Sequence, residues 1–155
     1  MNIRAIKYTI ALTLLVVGTG AHAECHADLS YLADKLPKYD RSDLDQIRNM
    51  ILGTDLRSGL DKARSQGYTP STAAAAALQQ AQASEQARPQ AEECVRSTAV
   101  DPDGAMRQLE NGTYSFTNDG GVMDSCAAAY VLFYYSLVAN KEAAIGMACI
   151  ANSEP

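Results

Sequence analysis

Histidine is nearly missing from this chain, with His22 and His26 the two imidazoles in 155 residues. That scarcity disfavours zinc clusters and histidine-based catalytic dyads. Basic residues are also in the minority, 13 Lys+Arg against 18 Asp+Glu, so the chain has no charge surplus with which to hold a nucleic-acid backbone. No two of the four cysteines stand at C-x-x-C spacing, which removes the usual metal-knuckle and dithiol redox patterns. Apolar runs are short as well. The run over 10–17 has about half of the ~20 residues needed to span a bilayer, and 126–139 also falls short.

What is present at the start is a secretory leader. Arg4 and Lys7 precede the apolar run IALTLLVV, and Ala21-His22-Ala23 supplies the small-x-small pattern of a cleavage site. The sequence therefore divides into a signal peptide over 1–23 and a single disulfide-bonded helical domain over 24–155. A lipid anchor is disfavoured because Glu24, not a small residue, precedes Cys25. Cleavage near Ala23 lowers the basic count to 11 against 18 acids, a net charge of −7, and leaves His26 as the sole imidazole. The expected location is the periplasm or the extracellular space, with no stable membrane insertion once the leader is gone.

All four cysteines, Cys25, Cys94, Cys126 and Cys149, lie beyond the cut, and an even count in an oxidising compartment reads as two disulfides. Three pairings exist. Cys94 near the end of one helix and Cys126 near the start of the next face each other if the helices are antiparallel, which leaves Cys25 to pair with Cys149. The rival Cys126–Cys149 requires a hairpin at Asn140, 14 residues after the first cysteine and nine before the second. At ~1.5 Å per residue that offset is about 7 Å, too far to bridge.

Periodicity predicts an all-α fold, a small bundle of about five or six helices with one long irregular loop. Leu29, Leu32, Ala33 and Leu36 mark a first helix over 26–36, closed by Pro37. Ser42 with Asp45 resembles a capping box, Leu44, Ile47 and Ile51 form the stripe that follows, and Gly53 reads as a left-handed stop. Thr54 is the expected cap of a third helix ending at Gly67, and Thr69-Pro70 opens a fourth. That fourth helix, over 71–98, is built on alanine and glutamine propensity, and its smooth alanine face lets another helix approach closely. Pro89 should kink or split it. Residues 101–121 read as loop, with one helical turn over 106–110 and a short strand fragment over 113–117. Residues 126–139 are apolar almost all round and read as the central helix, ended by Asn140 and followed by a separate closing helix over 141–151.

Motifs that carry chemistry are weak. Asp101, Asp103, Gly104 and Glu110 match four positions of a calcium-binding EF-hand loop, but Ala99 occupies the first ligand position and Asn111-Gly112 breaks the exit helix. Cys25-His26 is no nucleophile pair if Cys25 is oxidised. The acids Asp40, Asp43 and Asp45, and Glu92 with Glu93, are the candidates for paired-carboxylate hydrolysis, yet no pattern selects one pair. No metal or cofactor is implied, and the expectation is a protein that is not an enzyme.

The more informative residues are Tyr114 and Phe116, two aromatics in a glycine- and asparagine-rich connection, and they are the candidate partner-binding residues. The alternative is that they fold back as a lid on the bundle. Together these features predict an exported protein-binding module, most concretely an immunity or inhibitor protein that occludes a partner enzyme. The acidic charge suits a basic protein partner and opposes nucleic acid. The alternatives are a small cell-envelope hydrolase and a structural or antigenic envelope protein.

Overall fold

The computed structural model describes residues 24–117 and 121–154. The leader expected over 1–23 lies outside the described residues. Five α-helices follow a short 3-10 turn at Ser30–Asp34: α1 Ser42–Leu52, α2 Leu56–Ser65, α3 Pro70–Thr98, α4 Pro102–Glu110 and α5 Val122–Ser153. The fold is the all-α, disulfide-braced bundle that the periodicity predicts. Its spine is the antiparallel pair α3 and α5, the most extensive contact between elements. The other helices pack around it.

Cys94 is bonded to Cys126 and Cys25 to Cys149, with Cα atoms 5.4 Å and 5.7 Å apart. The first bridge joins the end of α3 to the start of α5. The second joins the N-terminal segment to the far end of α5.

α5 corrects the sequence reading most. Asn140 does not end it; the helix runs unbroken for 32 residues. The Asn140 side chain turns back and its Nδ2 donates to the Ser136 carbonyl at 2.8 Å, so it caps nothing. The residues beyond it, Lys141, Glu142, Ala143 and Ala144, are good helix formers, and packing on α3 continues past them. Among the described residues α5 alone is long and apolar enough to cross a membrane, and half of its most apolar window is buried within the bundle. Tyr135 and Ile150 are wholly enclosed.

Pro89 also falls inside one continuous helix. It forfeits a single bond to the carbonyl of Glu85. Both ends of α3 are fixed independently: Thr69 and Thr72 form a reciprocal capping box, and Cys94 is tied to α5.

The expected first helix shrinks to the five-residue 3-10 turn. Its start is drawn into another pairing. The Leu56 amide donates to the Ala27 carbonyl at 2.9 Å and the Leu29 amide to the Thr54 carbonyl at 3.2 Å, while the Ser30 amide donates to Asp28 Oδ1 at 3.0 Å. Leu29, Leu32 and Leu36 are nevertheless buried, at 2%, 0% and 0% exposure, so the apolar spacing names the inward residues correctly although the backbone is not α-helical. Each such side chain contributes roughly 1.5–3 kcal/mol.

Several caps shift by one residue. Arg41, not Ser42, precedes α1 without a side-chain cap, Gly53 has φ −90° and is not left-handed, and Asp55 rather than Thr54 caps α2 by accepting from the Arg57 amide at 3.0 Å. Gly67 ends α2 with φ +84°, as its position implies. The 101–121 stretch contains a nine-residue helix, α4, where one turn is expected. Asp101 is its N-cap, accepting from the Gly104 amide at 3.0 Å, and Pro102 fills the first helical position. Residues 113–117 form no strand.

Candidate functional site

A groove of about 880 Å³ has α5 as its floor and, as walls, α3 on one side and α1 with the start of α2 on the other. Geometry creates it. α3 follows α5 closely through small residues, whereas Ile47, Ile51 and Leu56 stand on elements that diverge from α3. Ala77, Ala83 and Ala87 make the α3 wall shallow and smooth. None of the residues lining the groove is charged.

A polar band crosses this apolar floor. Ser84 Oγ donates to Ser136 Oγ at 2.7 Å, and Asn140 Nδ2 donates to the Ser136 carbonyl at 2.8 Å and Ser136 Oγ at 3.2 Å. Ser84 is 8% exposed, so this hydroxyl would be costly to bury without a partner. The band fixes the spacing of α3 and α5 and places the Asn140 side chain at the groove. Sequence reasoning missed these residues. The available signal is Ser136 and Asn140 at i, i+4, two polar residues on one face of an otherwise apolar helix.

Tyr114 and Phe116, the candidate partner-binding residues, do not lie at this groove. Both are half-buried and fold back on the bundle. The Tyr114 hydroxyl donates to Asp124 Oδ1 at 2.7 Å, and Phe116 meets Tyr114 and Tyr39 edge-on at 4.9 and 5.7 Å, beneath the guanidinium of Arg41 at 5.3 Å. The segment through Thr117 is pinned against the bundle, as in the alternative reading in which the two aromatics fold back as a lid.

Its anchor is Asp124, 3% exposed in the first turn of α5. Asp124 Oδ2 accepts from the Thr117 amide and hydroxyl, both at 2.7 Å. Burial pushes this carboxyl up, but the Thr117 and Tyr114 hydrogen bonds and the nearby Arg41 charge outweigh it and hold it below the usual carboxylate range. The Tyr114 hydroxyl is pushed up to about 12, by burial first and then by its bond to Asp124.

A depressed carboxyl stabilises the fold when ionised, so its contribution is present above the ordinary value near 3.8 and is lost as the pH falls through the folded value. Asp124→Asn should cost about 1–3 kcal/mol at neutral pH, with the deficit shrinking as the pH falls below 3.8. Urea unfolding at neutral pH and at decreasing acid pH checks this. A deficit that does not change with pH would contradict the assignment.

The remaining candidates do not converge. Asp103 pairs with Arg96 at 3.0 Å and Asp101 is occupied as a cap, so two of the calcium-loop carboxylates are engaged in structural contacts. Asp43 is held by Arg41 at 2.8 Å and Glu92 by Arg96 at 2.9 Å. Asp45 Oδ2 accepts from Asn49, while its Oδ1 is buried without a hydrogen-bond partner among the described residues. His26 stacks on Tyr31 at 4.4 Å. Among the described residues no cluster of three or more His, Cys, Asp or Glu is placed to hold a metal ion. Comparison with known protein families, curated proteins and solved structures returned no match.

Proposed function

We propose that this protein is an exported, non-catalytic binding module that receives an amphipathic helix of a protein partner in the groove between α1 and α3. An immunity or inhibitor protein that masks an enzyme is the most concrete form. The observation that carries this reading is the uncharged apolar groove of about 880 Å³ with one alanine wall. Small side chains allow a partner backbone to come close, and the larger apolar residues of α1 and α5 give its side chains holes to fill. An acidic protein attracts a partner helix with basic flanks, which raises the association rate rather than the contact energy. Two disulfides suit an oxidising compartment, in agreement with the leader-like N-terminus.

The test uses Ala83→Trp, which fills the groove from an exposed helical position. The substitution should change stability by roughly 0.5 kcal/mol or less. Wild type and variant are each used to capture partners from the envelope fraction and culture medium of the native host. The expected result is a stoichiometric protein retained by wild type, bound at least about tenfold more weakly by the variant, and displaced by a peptide of its own apolar-and-basic helix. A partner indifferent to Ala83→Trp would overturn the groove assignment. No stoichiometric partner at low and moderate salt would favour the structural-component reading instead.

A further inference from the structure

A second, smaller cavity of about 200 Å³ opens where α3, α4 and α5 meet the segment around Tyr39. It differs in kind from the groove. Tyr39, Tyr130 and Tyr134 line it together with Arg88 from α3 and Glu110 from the end of α4.

Three polar groups here are unused. Tyr39 and Tyr134 spend their hydroxyls on the carbonyls of Leu109 and Lys35, at 2.5 and 3.0 Å. Tyr130 is 7% exposed, yet its hydroxyl has no hydrogen bond to any described residue. It is not sealed away either, since Asp45 Oδ1 is the buried side-chain atom left without a partner among the described residues. The Tyr130 hydroxyl therefore keeps some exposure to solvent, on a residue that lines the cavity.

Arg88 and Glu110 likewise make no ion pair with any described residue, although Arg41, Arg64 and Arg96 each hold a carboxylate. Burial chiefly raises the Tyr130 hydroxyl, which keeps it a donor, and the opposing influences of Arg88 and Glu110 both reach it. Arg88, Glu110 and Tyr130 thus line one cavity, and the two charges form no ion pair with each other.

We propose that this cavity binds a free α-amino acid as its zwitterion, with the carboxylate on Arg88 and the Tyr130 hydroxyl, the ammonium on Glu110, and the side chain against the rings of Tyr39 and Tyr134. The charges select this class. A simple anion would meet Glu110, and a simple cation would meet Arg88. A dipolar molecule satisfies the pair at once, and an arginine beside a tyrosine hydroxyl is suited to the two oxygens of a carboxylate. The size agrees. The cavity is smaller than the roughly 300–1,000 Å³ of pockets that take drug-sized ligands.

Calorimetric titration of the full disulfide-bonded chain with the twenty free amino acids tests the assignment. The best binder is then compared with its N-acetyl form, its amide and a neutral hexose. The expected result is saturable binding of at least one amino acid, weakened about tenfold or more by blocking either end. Arg88→Gln and Glu110→Gln should each cause a similar loss at unchanged melting temperature, and Tyr130→Phe a smaller one. Ala83→Trp should bind the amino acid as wild type does, which separates this site from the groove. No saturable binding, equal binding of a blocked form, or preference for the hexose would overturn it.

Discussion

Replacing Cys25 and Cys149 together by serine is expected to lower the unfolding free energy by about 4–5 kcal/mol, against about 3–4 kcal/mol for the Cys94/Cys126 pair. The difference follows from loop length. The first bridge spans a sequence separation of 124 residues and the second 32, and closing a longer loop removes more freedom from the unfolded chain. Other contacts hold the ends beside the first bridge: the Leu56 amide donates to the Ala27 carbonyl, and Tyr31 donates to Glu142 at 2.7 Å. The loss therefore appears mainly as a shift of the denaturant midpoint, with the native fold retained. Since a domain of this size has a total stability of about 5–15 kcal/mol, either double variant would sit close to its folding threshold. Guanidinium unfolding under non-reducing conditions, followed by helical circular dichroism, measures the effect. A loss below about 1 kcal/mol for the Cys25/Cys149 pair would show that chain entropy does not govern this bridge.

Gly112→Ala is expected to cost about 2–4 kcal/mol. Gly112 has φ +71°, in the left-handed region, and a β-carbon built there would stand 2.4 Å from Cβ of Pro37. About 1 kcal/mol comes from the backbone, and the rest comes from forcing apart the α4 exit and the 37–39 segment. That segment cannot yield easily, because Tyr135 donates to the Pro37 carbonyl and Tyr39 donates to Leu109. Gly67 supplies an internal control. Its φ is +84°, but nothing lies within 4 Å of the added carbon, so Gly67→Ala should cost only about 1 kcal/mol. Equal losses at the two positions would mean that backbone strain, not the Pro37 contact, sets the cost at Gly112.

The candidate site was less legible than the fold. Ala77 is part of an evident alanine run, but a run of small residues does not disclose which wall of which cavity it forms. Arg88 and Glu110 are ordinary surface residues in sequence, and Tyr130 is one of several tyrosines in an apolar helix. Their meeting depends on how α3, α4 and α5 cross. Tyr114 and Phe116 show a different limit of sequence reading. Two aromatics in a polar loop look available for binding, yet the acceptor that draws Tyr114 inward is Asp124 in the first turn of α5, a pairing that local sequence does not specify. The same holds at Asn140, where a residue common at helix ends bonds instead to Ser136 and stays within the helix.

The sequence by itself determined the quantities that depend on spacing and chemistry along the chain. These are the all-α class, the inward identity of Leu29, Leu32 and Leu36, the Thr69-Pro70 helix start, and a cysteine arrangement that an antiparallel helix pair can satisfy. Local energies of about 1 kcal/mol per cap or residue are enough to set such features. Only the tertiary structure decided where helices continue through Pro89 and Asn140, where the first helix gives way to a 3-10 turn, and which side chains face a common cavity. Packing along the α3–α5 spine sums many contacts at once, and that sum exceeds the local preference of any single proline, asparagine or serine.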